Sequence, residues 1–151
     1  MQDTLEELRE LRTHLKTTVD ELLSLRNRLA EYDSEFIGRL QLLEVDINRY
    51  GYLDGSEKER FRERIVYDCD SFKRRIGDVI EGLTATVARH TEELAAFDLK
   101  FENCPAGCPE DLRHNLAVLS DVYRQHINVM DGMRKIYLRY VANLEGKLKT
   151  V

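Results

Sequence analysis

The sequence predicts an all-α fold, an elongated antiparallel three-helix bundle of coiled-coil type running up, down and up, and three observations carry that expectation. Turn formers are scarce, with two prolines and eight glycines in 151 residues, so long elements separate few corners. Apolar residues recur every seven positions with companions three or four places on, the period of a helix that buries one stripe. Leu, Glu and Arg dominate while β-branched residues never cluster, which favours helix over strand.

The first helix is expected over about 2–50. One heptad position reads Leu8, Leu15, Leu22, Leu29, Phe36, Leu43 and Tyr50 without a miss. Its companions Leu11, Leu25 and Tyr32 give way to Leu40 and Ile47 one place over, because a 3.6-residue turn drifts about 20° per heptad against a strict repeat of seven. At about 1.5 Å per residue this helix would run roughly 73 Å. An alternative breaks it near residue 33, where Asp33 or Ser34 would cap a fourth helix, although neither glycine nor proline interrupts there.

Gly51 and Gly55 end the pattern, and Ser56 with Glu59 has capping-box spacing, which places the second helix at about 57–102. Its row is Phe61, Ile65, Cys69, Phe72, Ile76, Val79, Leu83, Val87, His90, Leu94, Phe97 and Phe101. Two successive steps of four at Val79, Leu83 and Val87 form a stutter. The stretch FENCPAGCPEDL, residues 101–112, then turns the chain. Pro105 stops one helix, Gly107 permits the bend and Pro109 suits the first turn of the next, with Glu110 and Asp111 near the positive end of its dipole. The third helix, about 109–149, keeps the rhythm from Leu112 to Leu148. Val122, Val129 and Ile136 widen its stripe, as a helix touching two neighbours requires. The whole chain, 1–151, reads as one helical-bundle domain. Its outline is similar to spectrin-type three-helix repeats and, more loosely, to crescent-shaped membrane-bending dimers, in shape alone: a spectrin repeat's tryptophan is missing and these helices are longer.

A net charge of -5 argues against a nucleic-acid binder. No apolar run approaches the roughly 18–20 residues of a membrane span, and the opening residues have neither a basic leader nor an apolar h-region, so a cytoplasmic or nuclear location is expected. Three cysteines do not make a disulfide scaffold and fit a reducing compartment.

Chemical candidates are few. Cys104 and Cys108, in C-x3-C spacing with His114 beyond, lack the ligand number of a structural zinc site. They are a candidate redox pair instead, with Cys108 at a helix N-terminus that lowers a thiol pKa and Glu110 and Asp111 opposing the shift. Cys69, on the core row, reads as a small buried apolar residue. Counting back from the two corners puts His14 opposite about residue 92 and His90 opposite about 122, so His14, His90 and His126 form a candidate polar core layer, a fixer of register or a pH-sensitive seam. No Gly-rich phosphate loop, no Glu-x-x-His pair and no set of nucleophile, base and oxyanion donor is present, so neither cofactor, metal nor enzymatic activity is expected.

Residues 44–75 with 134–151 hold 13 Lys and Arg against 9 Asp and Glu. This candidate basic pole includes Lys58, Arg60, Arg62, Arg64, Lys73, Arg74 and Arg75, which alternate with acids as on a solvated face. Leu23, Ile37, Leu42, Ile127, Leu138 and Val141 lie off the main stripes and form a candidate interaction seam. The functional expectation is a non-enzymatic scaffold, adaptor or complex subunit that binds protein partners, a second copy of the chain among them, through helix faces. The alternatives are a membrane-surface or curvature-binding module using the basic pole, and a redox- or pH-responsive sensor.

Overall fold

In a computed structural model, which describes residues 2–104 and 106–151 with Gln2 and Asp3 as backbone only, the chain is a bundle of three helices packed on one another. They are α1 (Gln2–Tyr50), α2 (Gly55–Glu102) and α3 (Glu110–Leu148), and no strand occurs among the described residues. The predicted spans hold to within two residues. α1 runs unbroken through Tyr32, Asp33 and Ser34, so the four-helix alternative is set aside. Asp33 and Ser34 have weak helix propensity, but a single pair cannot end a helix whose next turn buries Phe36 completely.

The corners differ in detail from expectation. α2 begins at Gly55, whose φ of +67° only glycine adopts without strain. Ser56 therefore lies inside the helix rather than capping it. The preceding turn is closed by the Tyr52 and Leu53 amides donating to the Arg49 and Tyr50 carbonyls, at 3.0 and 3.2 Å. At the second corner the Cys104 amide donates to the Phe101 carbonyl, and the Arg113 amide to the Pro109 carbonyl, both at 3.0 Å. Pro109 thus stands just before α3 and accepts its first helical bond, while Glu110 and Asp111 occupy the first turn. Pro105, the expected stop, lies outside the described residues.

The chain divides into two compact units. The first comprises residues 1–28 and 84–132, the second residues 29–83 and 133–151. In the first unit Leu8, Leu15 and Leu22 of α1, Leu94 and Phe97 of α2, and Leu112, Leu116 and Met130 of α3 are buried in the core. Thr18, His90, Ser120 and His126 are buried there as polar members. The second unit has an aromatic centre in which Phe36 packs edge-on against Phe72 and Tyr137, with ring centroids 5.9 and 5.2 Å away. Leu29, Leu43, Ile65, Ile76 and Leu144 are buried in the same unit. Each such side chain contributes about 1.5–3 kcal/mol through burial. At the expected stutter Leu83 is buried whereas Val79 and Val87 are only half-buried.

Candidate functional site

The first unit holds a buried polar chain built on His90. Arg89 follows α2 one residue earlier, and its guanidinium stands 3.1 Å from His90 Nε2. A guanidinium can only donate, so Nε2 accepts and the proton of the neutral ring sits on Nδ1. That N–H donates to the Tyr123 hydroxyl at 2.5 Å. The hydroxyl donates in turn to Glu93 Oε2 at 3.2 Å. His90 is 4% exposed and Tyr123 1% exposed, while the Glu93 side chain is 46% exposed. A contact path therefore leads from a buried imidazole to a carboxylate at the surface. Burial lowers the His90 pKa, Arg89 adds to the fall, and Glu93 and Glu21 oppose it. Burial also raises the Tyr123 pKa, with Glu93 reinforcing it.

Of the three predicted histidines the structure buries two and leaves the third outside. His14 is exposed. Counting residues back from a corner fixes height along a helix but not direction around it, and Leu8, Leu11, Leu15 and Leu22 already fill the inward stripe of α1. His14 lines a surface groove of about 200 Å³ with Leu11, Thr18, Glu93, Phe97, Lys100 and Tyr123. A neighbouring groove of about 560 Å³ continues past Glu7, Glu10 and Asn103. His126 is buried, and its Nδ1 has no hydrogen-bond partner among the described residues. Burial, and then the Arg26 charge, lower its pKa.

Comparison with protein-family models, with curated proteins and with solved structures finds no match. The site is therefore judged on its own chemistry.

Three of the seven cations of the predicted basic pole are ion-paired. Arg64 pairs with Asp46 and Asp68 at 3.5 and 3.7 Å, Lys73 with Asp70 and Glu145 at 3.9 Å each, and Arg75 with Glu35 at 3.5 Å. Lys147 likewise meets Glu44. Arg75 also lies over the Tyr32 ring at 5.2 Å and Lys58 over Tyr50 at 4.8 Å, which holds these α2 cations against α1. Arg60, Arg62 and Arg74 are exposed. The second unit as a whole carries 14 Lys and Arg and 14 Asp and Glu.

Of the predicted seam residues, four are exposed, one is half-buried and one is in the core. Leu23, Ile37, Leu42 and Leu138 are 45, 39, 68 and 44% exposed, and Val141 is half-buried. Ile127, expected outside, is in the core at 6%. It lies four residues after Tyr123 and three before Met130, within the broad stripe that a helix between two neighbours buries. Sequence reading passed over Val45 of α1 and Leu99 of α2, each 62% exposed. It also passed over Glu93, for which the signal was its position three residues after His90, on the same face of one helix.

The cysteines divide by environment. Cys69 is wholly buried and its thiol is pushed up to about 11, chiefly by desolvation. Cys108 is buried and Cys104 half-buried, and all three are free thiols. The expected lowering at Cys108 is overturned. Its pKa is raised by burial and by the adjoining Cys104 thiol, which outweigh the nearby Arg113. Among the described residues no group of three or more His, Cys, Asp or Glu side chains is arranged to hold a metal, and no helix is long and apolar enough to cross a membrane.

Proposed function

We propose that this chain is a non-enzymatic helical module, a scaffold, adaptor or complex subunit that binds protein partners through the outward faces of its helices. The observation that carries the reading is the pair Leu42 and Val45, one helical turn apart on α1 and 68 and 62% exposed. The inward stripe of the same segment is already filled by Phe36, Leu43 and Ile47, so folding of the unit does not require these two. Large apolar side chains held on a rigid helix beside paired charges offer a partner area that costs little ordering on binding.

The test is the double substitution Leu42→Glu and Val45→Lys in the full chain. Circular dichroism should show an unchanged melting transition, while a partner that co-purifies with the native chain should be lost. Retention of every partner by the variant defeats this reading. A native chain that sediments instead with anionic vesicles at low salt, through the exposed Arg60, Arg62 and Arg74, replaces it with a membrane-surface one.

A further inference from the structure

Two thiols stand in the connection between α2 and α3. Cys104 and Cys108 both lie beyond the end of α2 at Glu102 and before the start of α3 at Glu110. Their backbones are anchored from opposite sides. The Cys104 amide is tied to the Phe101 carbonyl, and the Arg113 amide fixes Pro109, next to Cys108. Both are free thiols, and the Cys104 thiol is among the neighbours that raise the Cys108 pKa. Cys108 is 8% exposed, and Cys104 is the more accessible of the two. Neither belongs to a regular helix, and a disulfide between them requires a separation of about 4.4–6.8 Å between Cα atoms.

We propose that Cys104 and Cys108 are an oxidisable pair that closes to an intramolecular disulfide on reaction with a hydroperoxide, Cys104 being attacked first and Cys108 resolving it. In the first step the Cys104 sulfur attacks the terminal peroxide oxygen. The O–O bond breaks, a sulfenic acid forms and the alcohol, or water from hydrogen peroxide, departs. In the second the Cys108 sulfur attacks the Cys104 sulfur. The S–S bond forms, the S–O bond breaks, and hydroxide leaves with the Cys108 proton as water. Two electrons pass from the sulfurs to the peroxide, and two thiols with one hydroperoxide give one disulfide, one alcohol and one water.

The order follows from burial. The raised pKa of Cys108 keeps it a thiol until a neighbour offers an electrophilic sulfur, and Cys69, wholly buried, stands by unreacted. The closed ring ties the end of α2 to the start of α3, a device independent of the partner-binding faces.

The experiment treats the full chain with a small excess of hydrogen peroxide, alkylates the remaining thiols after denaturation and maps the peptides. The expected product has Cys104 joined to Cys108, a loss of about 2 Da against the dithiol, with Cys69 fully alkylated. In Cys108→Ala, Cys104 should persist as a sulfenic acid trapped by dimedone, several-fold above the native chain. In Cys104→Ser, which alters only a half-buried position, Cys108 should stay reduced. Three results overturn the proposal: native Cys104 that advances to sulfinic acid while Cys108 remains alkylated, disulfides that link only separate copies, or Cys108 oxidised in Cys104→Ser as fast as in the native chain. The native peptide map decides the matter even if Cys108→Ala fails to fold.

Discussion

Tyr137 carries a hydroxyl that its surroundings do not use. The residue is wholly buried against Phe36 and Tyr140, and its oxygen has no hydrogen-bond partner among the described residues. Burial, with the Asp33 and Tyr140 charges behind it, raises the phenol's pKa. An unpartnered buried hydroxyl costs about 1–3 kcal/mol relative to a satisfied one, whereas removing it leaves the ring's packing intact. Tyr137→Phe should therefore leave stability unchanged or raise it by up to about 1 kcal/mol, read from chemical denaturation. A loss of more than that would mean the oxygen is bonded. Tyr123 is the contrasting case, since its hydroxyl both accepts from His90 and donates to Glu93. Sequence alone could not separate the two tyrosines. Both sit on the inward row of α3, and only the residues opposite, an imidazole for one and a phenylalanine ring for the other, distinguish them.

At the level of elements, the helices were legible because the same stripe is repeated many times, so local errors average out. Seven-residue spacing located Leu8 through Leu43 on α1, and six of those positions are buried. Corners were less legible, since each depends on one or two residues. Ser56 and Glu59 had the spacing of a cap, but Gly55 can take φ +67° and α2 starts there, two residues before the expected 57, so the serine lies inside the first turn rather than ahead of it. The best test of the aromatic centre is Phe36. It joins α1 to α2 through Phe72 and to α3 through Tyr137, and it is wholly buried. Phe36→Ala should cost about 3–5 kcal/mol, measured by urea unfolding. A cost below about 1.5 kcal/mol, the range of volume-conserving swaps, would show that the three rings are not packed as described. Phe36→Leu should recover most of the loss.

For the molecule as a whole, charge and pH separate the two units. The first carries 9 Lys and Arg against 14 Asp and Glu, the second equal numbers. The first also holds the two buried histidines, both with lowered pKa values. Their folded values lie below the unfolded value near 6.5, so the unfolded chain takes up protons first as pH falls. The stability they contribute is full above about 6.5 and is lost progressively below it. Around His90 stand Arg89 and Glu93 from α2, Glu21 from α1 and Tyr123 from α3, while Arg26 faces His126. The melting temperature should therefore fall between pH 7.5 and 5.5, and fall less in His126→Leu. An unchanging profile in the native chain would show that neither ring is buried neutral. Part of this site was visible in the sequence, because His90 and His126 occupy inward heptad positions. The rest was not. The contribution of Glu93 and the exclusion of His14 depend on the rotation of each helix about its own axis, and spacing along a chain carries no record of which neighbour a flank will face.

The contact between Tyr123 and Glu93 has an optical consequence. The chain has seven tyrosines and no tryptophan, so phenols dominate its near-ultraviolet emission. A photoexcited phenol is a much stronger acid than one in its ground state, and Tyr123 already points its proton at a carboxylate 3.2 Å away. Its light should be dim in the native first unit and should brighten when unfolding separates the two groups, which would give that unit an intrinsic lamp for watching its own denaturation without any attached dye.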